Sequence, residues 1–154
     1  MTQQDDGKIY LSWEQFHQDG KLLAANIKAH GKTFNRIIAV GRGGIFIAGI
    51  LAFELFIRDV AVINVHSYNG ENRTGNLKVS DLDDLYSDDQ TLVVDDLTDT
   101  GATFDLLREK FPKATFACVY TKPAGVASTD IAGKPMEDKW IFFPWDVWVD
   151  GKVT

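Results

Sequence analysis

Residues 93–103 read VVDDLTDTGAT. Three carboxylates (Asp95, Asp96, Asp99) and three hydroxyls (Thr98, Thr100, Thr103) surround a single glycine, Gly101. The apolar run 91–94 has the length and β-branching of a buried strand, and residues 102–111 carry helical spacing. The stretch thus reads strand, polar turn, helix. A plain turn would need only Thr100 or Asp99 as an N-cap. Adjacent Asp95 and Asp96 ask for more, because neighbouring like charges at a strand end resist joint ionisation unless a cation or donors compensate. Magnesium, with its preference for oxygen ligands, would compensate. The backbone amides of residues 100–103 open the helix and, with the threonine hydroxyls, can wrap a phosphate monoester. One loop thereby offers a diol-and-metal site beside a phosphate site, which is what a phosphorylated ribose requires.

The surroundings repeat the strand-turn-helix pattern. Residues 36–40, RIIAV, read as a buried strand that ends in the glycine cluster 41–44, and a helix from about 44 to 57 follows. Residues 60–65 and 114–120 read as further strands. Upstream, Ser12 with Gln15 resembles a capping box ahead of an amphipathic helix from about 13 to 29, with a weak point at Gly20. Residues 67–90 show no periodic apolar pattern and hold a run of acidic side chains, the mark of a functional or mobile segment. Alternating strands and helices signal an α/β domain with a mainly parallel, twisted sheet flanked by helices. Ligands in such sheets sit at the carboxyl ends of strands. Three strands here end in unusual chemistry: GRGG, DDLTDTGAT and TKPAG.

Composition narrows the function classes. The 154 residues suit one domain, read over 1–154, and 45% hydrophobic with 25% charged residues is an ordinary globular mix. A net charge of −6 argues against a protein that tracks nucleic acid by bulk charge. Polyanions would have to be bound locally, by amides, a helix end or a metal. Cys118 is the only cysteine, so no internal disulfide can form and a reducing, cytoplasmic compartment fits. Residues 1–10 have no signal-peptide pattern, and the apolar stretch 45–57 is too short to span a bilayer. His17, His30 and His66 are scattered without ligand spacing.

Two nucleotide motifs fail on inspection. A dinucleotide fingerprint after Gly41 and Gly43 would need a third glycine where Phe46 stands. Gly31-Lys32-Thr33 echoes a triphosphate loop but precedes a strand and lacks the earlier glycine, with Asn26 in its place.

The stretch around Asp95 and Asp96 resembles the signature of the type I phosphoribosyltransferases: a hydrophobic strand, two acids, two variable residues, then acid, Ser/Thr, Gly, any residue, Ser/Thr. Asp95, Asp96, Asp99, Thr100, Gly101 and Thr103 fill it completely. Over most of the chain the resemblance is closest to the bacterial xanthine-guanine phosphoribosyltransferases. It runs through IIAVGRGG at 37–44, Ser67-Tyr68, LKV at 77–79, KPAG at 122–125 and W-I-x-x-P-W-D at 140–146. It implies transfer of phosphoribose from phosphoribosyl pyrophosphate to N9 of a 6-oxopurine (guanine, xanthine or hypoxanthine). It also implies a core over about 12–122 and a small C-terminal hood over about 123–154.

The resemblance assigns residues as well. Arg42 and Gly43, with the loop amides, would bind pyrophosphate. Asp95, Asp96, Thr98, Asp99, Thr100, Gly101, Ala102 and Thr103 would hold the phosphoribosyl part. Asp99 would be catalytic, as the acceptor of the purine N7 proton. Lys122, Trp140, Ile141 and Asp146 would surround the base. Magnesium would sit at Asp96, with Asp95 and Asp146 as further candidates. Ser67, Tyr68 and Lys78 would belong to a mobile loop over 67–89 that closes on the site. Phe142-Phe143 stands where the closest relatives carry a polar pair. Homodimers or homotetramers are expected. The acidic run 81–89 replaces a more basic stretch, leaving little for contact with membrane lipids. One rival reading is a non-catalytic regulator on the same fold that senses phosphoribosyl pyrophosphate, against which Lys122, Trp140 and Asp146 speak; another is a phosphoribosyltransferase for a different base, adenine or orotate.

Overall fold

The computed structural model describes residues 6–67, 77–80 and 88–153. Its first strand, β1, is the short Ile9–Tyr10, and helix α1 follows over Trp13–His30. Ser12 caps α1 by accepting the Gln15 amide at 3.1 Å. The Gln15 side chain does not return to Ser12 but donates to Asp19 at 3.0 Å, so half of the expected capping box forms. The helix runs unbroken through Gly20. That residue is buried in mid-helix where a Cβ would come within 3.1 Å of Ile50 and 3.2 Å of Ile47, so glycine here lets two helices approach. Gly31 ends α1 in the left-handed region, φ 86°.

Next come β2 (Arg36–Gly41), α2 (Gly44–Glu54), β3 (Asp59–Ser67) and β4 (Leu77–Ser80). They are followed by β5 (Thr91–Thr98), α3 (Ala102–Lys110), β6 (Thr115–Thr121), a 3-10 segment (Pro123–Ser128) and β7 (Ile131–Pro135). The six-stranded sheet runs β4-β3-β2-β5-β6-β7. All its neighbours are parallel except β4, which returns antiparallel along β3. A mainly parallel sheet between helical layers is the architecture the alternating pattern called for.

Side chains alternate across each strand, so the sheet divides the apolar residues into two cores. Ile37, Ala39, Leu92, Val94, Ala117 and Val119 pack under α1 and α2. Ile38, Val40, Val93, Phe116 and Cys118 pack under Phe104 and Leu107 of α3. A buried hydrogen bond of 2.6 Å from the Tyr120 hydroxyl to Asp19 ties α1 to β6.

Three expectations change. Helix α2 stops at Glu54 rather than near 57, and Phe56 turns into positive φ at 55°. Residues 77–80 form β4 inside the segment read as irregular. The sheet also gains a last strand that no sequence pattern announced: β7, bonded to β6 and held to α1 by Asn26, whose side-chain amide donates to the Ala132 carbonyl at 2.8 Å. Beyond it, β8 (Ile141–Phe142) pairs in parallel with β1, and β9 (Trp148–Val149) pairs with β10 (Lys152–Val153). Among the described residues no helix is long and apolar enough to cross a membrane.

Candidate active site

β2, β5 and β6 are parallel neighbours, so their carboxyl ends share one edge, and the loops after them converge there. After β2 the chain turns through Arg42 and Gly43, with a cis Gly41–Arg42 peptide, into the uncapped start of α2. The turn passes directly beneath β5. A Cβ on Gly43 would overlap the Asp96 carboxylate, and one on Gly44 would lie 2.7 Å from the Val94 carbonyl. Glycines stand here because the backbone needs that approach.

β5 does not end before the acids, as the sequence suggested; it carries Asp95, Asp96, Leu97 and Thr98 within the strand, paired to β6 as far as Thr98 opposite Thr121. The Asp96 amide donates to Asp95 Oδ1 at 2.8 Å, and the Leu97 amide to Asp96 Oδ1 at 2.7 Å. Each carboxylate keeps some surface, yet the protein around them removes most of their hydration. Desolvation first, and then the Asp96 charge, pushes Asp95 well above the ordinary carboxylate range. Desolvation also raises Asp96, with a smaller push from Asp146. Among the described residues neither carboxylate pairs with a Lys or Arg.

Two desolvated, unneutralised carboxylates fit a hard divalent cation that takes oxygen ligands. No group of three or more candidate ligand side chains assembles among the described residues, so those residues would supply only part of such an ion's shell. Asp146, the third expected candidate, is tied by its own carboxylate to the Phe143 amide at 2.8 Å. It faces the same cleft of about 470 Å³ as Arg42, Gly43 and Asp96.

The turn into α3 passes through Gly101 at φ 90°, with the Ser128 side chain pressed where a Cβ would be. No side chain caps α3 at that position; the Thr100 hydroxyl accepts the Ala102 amide at 3.3 Å. The first amides of α3 therefore point out of the helix with little internal competition. Thr98 departs from the rest of its motif. It is 5% exposed, and its hydroxyl accepts from Thr129 at 3.1 Å, so that hydroxyl is engaged inside the fold.

Lys122 follows β6 and is anchored by its amide to the Thr98 carbonyl at 3.0 Å. Only 7% of it is exposed, and its ammonium lies 3.6 Å from both Asp99 Oδ2 and Asp138 Oδ1. Two residues singled out from separate motifs are thus brought face to face. Asp138 was not among the sequence candidates; a lone surface acid in a loop gives no signal.

Trp140 and Ile141 lie at the start of β8, the strand paired with β1. In the ladder the Ile9 amide bonds the Trp140 carbonyl and the Leu11 amide bonds the Phe142 carbonyl, both at 2.9 Å. The Ile141 carbonyl between them is directed away from β1. Trp140 and Phe142 share the other face of β8, ring centroids 6.1 Å apart, and Phe142 is itself stacked on Tyr10 at 4.9 Å. Trp145 was quoted in a motif without a role. It stacks between Phe46 at 4.2 Å and Phe143 at 4.8 Å and forms the apolar wall of the Arg42 cleft. Ser67 ends β3 opposite Leu77, and Lys78 lies in β4 opposite His66. Tyr68 and most of the expected mobile loop lie outside the described residues.

Comparison with known proteins gives the same picture throughout. A family model described as the phosphoribosyl transferase domain matches residues 6–151. The chain is 40% identical over 139 residues to a xanthine-guanine phosphoribosyltransferase of Gluconobacter oxydans (strain 621H), covering 88% of this chain and 83% of that one. A xanthine-guanine phosphoribosyltransferase of Ruegeria sp. (strain TM1040) is 39% identical over 151 residues, covering 90% and 85%. Among solved structures, a purine phosphoribosyltransferase from Pyrococcus horikoshii Ot3 superposes with a TM-score of 0.77 at 28% identity, over 93% of this chain and 96% of its own.

Proposed function

Since this chain belongs to the phosphoribosyltransferase family, we propose that it transfers phosphoribose from phosphoribosyl pyrophosphate to N9 of a 6-oxopurine and releases pyrophosphate. The observation that carries the base assignment is the facing pair Lys122 and Asp99, 3.6 Å apart at the ends of adjacent strands. A 6-oxopurine presents an acceptor at C6 and, in its N7-H form, a donor at N7. An ammonium and a carboxylate side by side match that edge.

In the reaction the C1′–O bond to pyrophosphate breaks, with its electron pair leaving on the pyrophosphate oxygen. The N9 lone pair forms the new bond to C1′, and the N7 proton passes to Asp99. Arg42 and the amides of its loop bind the leaving pyrophosphate, and the uncapped amides of α3 bind the 5′-phosphate. Asp95 and Asp96 hold the ribose hydroxyls. Asp96, with Asp95 and Asp146 near it, would hold magnesium, which when bound neutralises charge on the pyrophosphate. Trp140 covers one face of the base, and the Ile141 carbonyl reaches its 2-position, where an amino group is welcome. The aromatic face of Phe142 beside Trp140 leaves less for a second carbonyl there, so guanine ranks above xanthine.

An assay with equimolar guanine and adenine tests this reading. Adenine presents a donor at C6, and a site built around a buried donor rejects such a base by roughly 10⁴-fold. Guanylate should dominate the product, and Lys122→Gln should narrow the gap by losing guanine activity. Comparable incorporation of both bases would show that the purine edge has been placed wrongly.

A further inference from the structure

Three adjacent strands end in register at the candidate site. Thr98 of β5 stands opposite Thr121 of β6, and Thr121 stands opposite Pro135 of β7. Each strand delivers a charged side chain shortly beyond its end: Asp99, Lys122 and Asp138. Main-chain bonds fix their spacing. The Lys122 amide donates to the Thr98 carbonyl at 3.0 Å, and the Met136 amide donates to the Thr121 carbonyl at 2.8 Å. In strand order the signs run minus, plus, minus. The Lys122 ammonium lies 3.6 Å from a carboxylate oxygen of each acid.

Two negative charges are more than one ammonium requires, since Asp99 and Lys122 already balance each other. The neighbours of Asp138 in the chain close a pair of their own, Lys139 with Glu137 at 2.9 Å. The surplus carboxylate has a use in the reaction proposed above. When Asp99 accepts the proton, the N7–H bond breaks, its electron pair stays with the purine ring, and the proton joins a carboxylate oxygen of Asp99. The negative charge that Asp99 held beside Lys122 is then gone. Only 7% of Lys122 is exposed, and an ammonium so far from water is costly to leave without a counter-charge. Asp138 is the carboxylate beside it that stays charged through the step.

We propose that Asp138 is a positioning residue for the proton transfer, acting through Lys122 by remaining its counter-ion when Asp99 becomes neutral; this rests on the roles assigned above to Asp99 and Lys122. Before the transfer Lys122 has two counter-charges, and after it only Asp138. The pairing therefore gains weight as the proton moves. An interaction of that kind speeds the chemical step without tightening substrate binding. Its size is modest, because the Asp138 side chain is 83% exposed and water screens it. Ion pairs with an exposed partner contribute a factor of roughly two to five.

Single-turnover guanylate formation, followed across guanine concentrations, yields the maximal rate and the guanine affinity together and so separates this role from a structural one. Asp138→Asn should keep the native fold by circular dichroism, since its side chain stands in solvent. It should lower the maximal rate about two- to fivefold and leave guanine affinity as it is. Asp138→Glu, which keeps a carboxylate on an exposed loop, should recover most of the rate. In an Asp99→Asn background, where no proton is taken, Asp138→Asn should cost nothing further. A slow Asp99→Asn variant beside an Asp138→Asn variant at the native rate overturns the proposal and leaves the assigned reaction standing. An equal loss in the Asp99→Asn background overturns it too, as does a loss confined to guanine affinity or a glutamate variant as slow as the asparagine one. A native chain that makes no guanylate, or an Asp99→Asn variant at the native rate, removes the reading of the reaction and the proposal with it.

Discussion

Replacing Gly43 by alanine puts the contact between the Arg42 loop and β5 to the test. The new methyl would occupy space filled by the Asp96 carboxylate, which is itself fixed by the Leu97 amide at 2.7 Å. Two accommodations exist. Asp96 can swing out, losing that hydrogen bond, which costs ~1.5–3 kcal/mol when the acceptor is charged. Alternatively the loop can back away, at ~1–3 kcal/mol for overpacking. Both routes predict a loss of about 1–3 kcal/mol, which for a domain of this length lowers the melting temperature by about 3–10 °C. Both also separate Arg42 from Asp96, so nucleotide synthesis should fall more than stability does at a temperature where the variant is fully folded. Thermal unfolding by circular dichroism and a nucleotide-formation assay supply the two readings. A variant that melts within a degree of the native protein at unchanged activity would refute the close approach.

Asp99→Asn should keep phosphoribosyl pyrophosphate binding and lower single-turnover nucleotide formation by roughly 10²–10⁴-fold, the usual contribution of a general base; an unchanged single-turnover rate removes Asp99 from that role. Folding raises the Asp95 and Asp96 pKa above the ordinary 3.8, so over the range above that value the native state holds more protons than the unfolded chain. Stability of the magnesium-free protein should then fall as pH rises from that value until the native pair has ionised. Magnesium binding, which needs the ionised pair, should tighten over the same rise and release protons. Calorimetry in two buffers of different ionisation enthalpy measures that release, and equal heats in both would contradict it.

Much of the fold was legible because local pattern and tertiary role agree. RIIAV, TLVV and the strand before Lys122 are buried on both faces, so a continuous apolar run signals each of them. The polar loops at their ends were legible because such residues have no other reason to follow buried strands. β7 was not legible: IAGKP at 131–135 is short, holds glycine and proline, and becomes a strand because β6 offers an edge and α1 a cover. The extension of β5 through Asp95 and Asp96 was hidden because two acids look like a strand end. Pairing with β6 outweighs that local preference. Gly20 misled for a related reason, since its helix-weakening effect is local whereas its use is a contact with α2. Asp138 and the Phe46–Trp145 stack exist only in three dimensions, where residues far apart in the chain converge.

The pairing of β1 with β8 bears on the order in which a newly made chain acquires its parts. Ile9 and Ile141, 132 positions apart, must meet before the wall carrying Trp140 is seated. The strands β2, β5 and β6 are all complete by Thr121. Contacts between distant positions close late, and synthesis delivers the first strand long before its partner. On the ribosome the strand ends can therefore assemble before the wall carrying Trp140 is seated. Deleting residues 6–11 should return the full-length chain to that half-built condition, with the sheet retained and the base wall adrift.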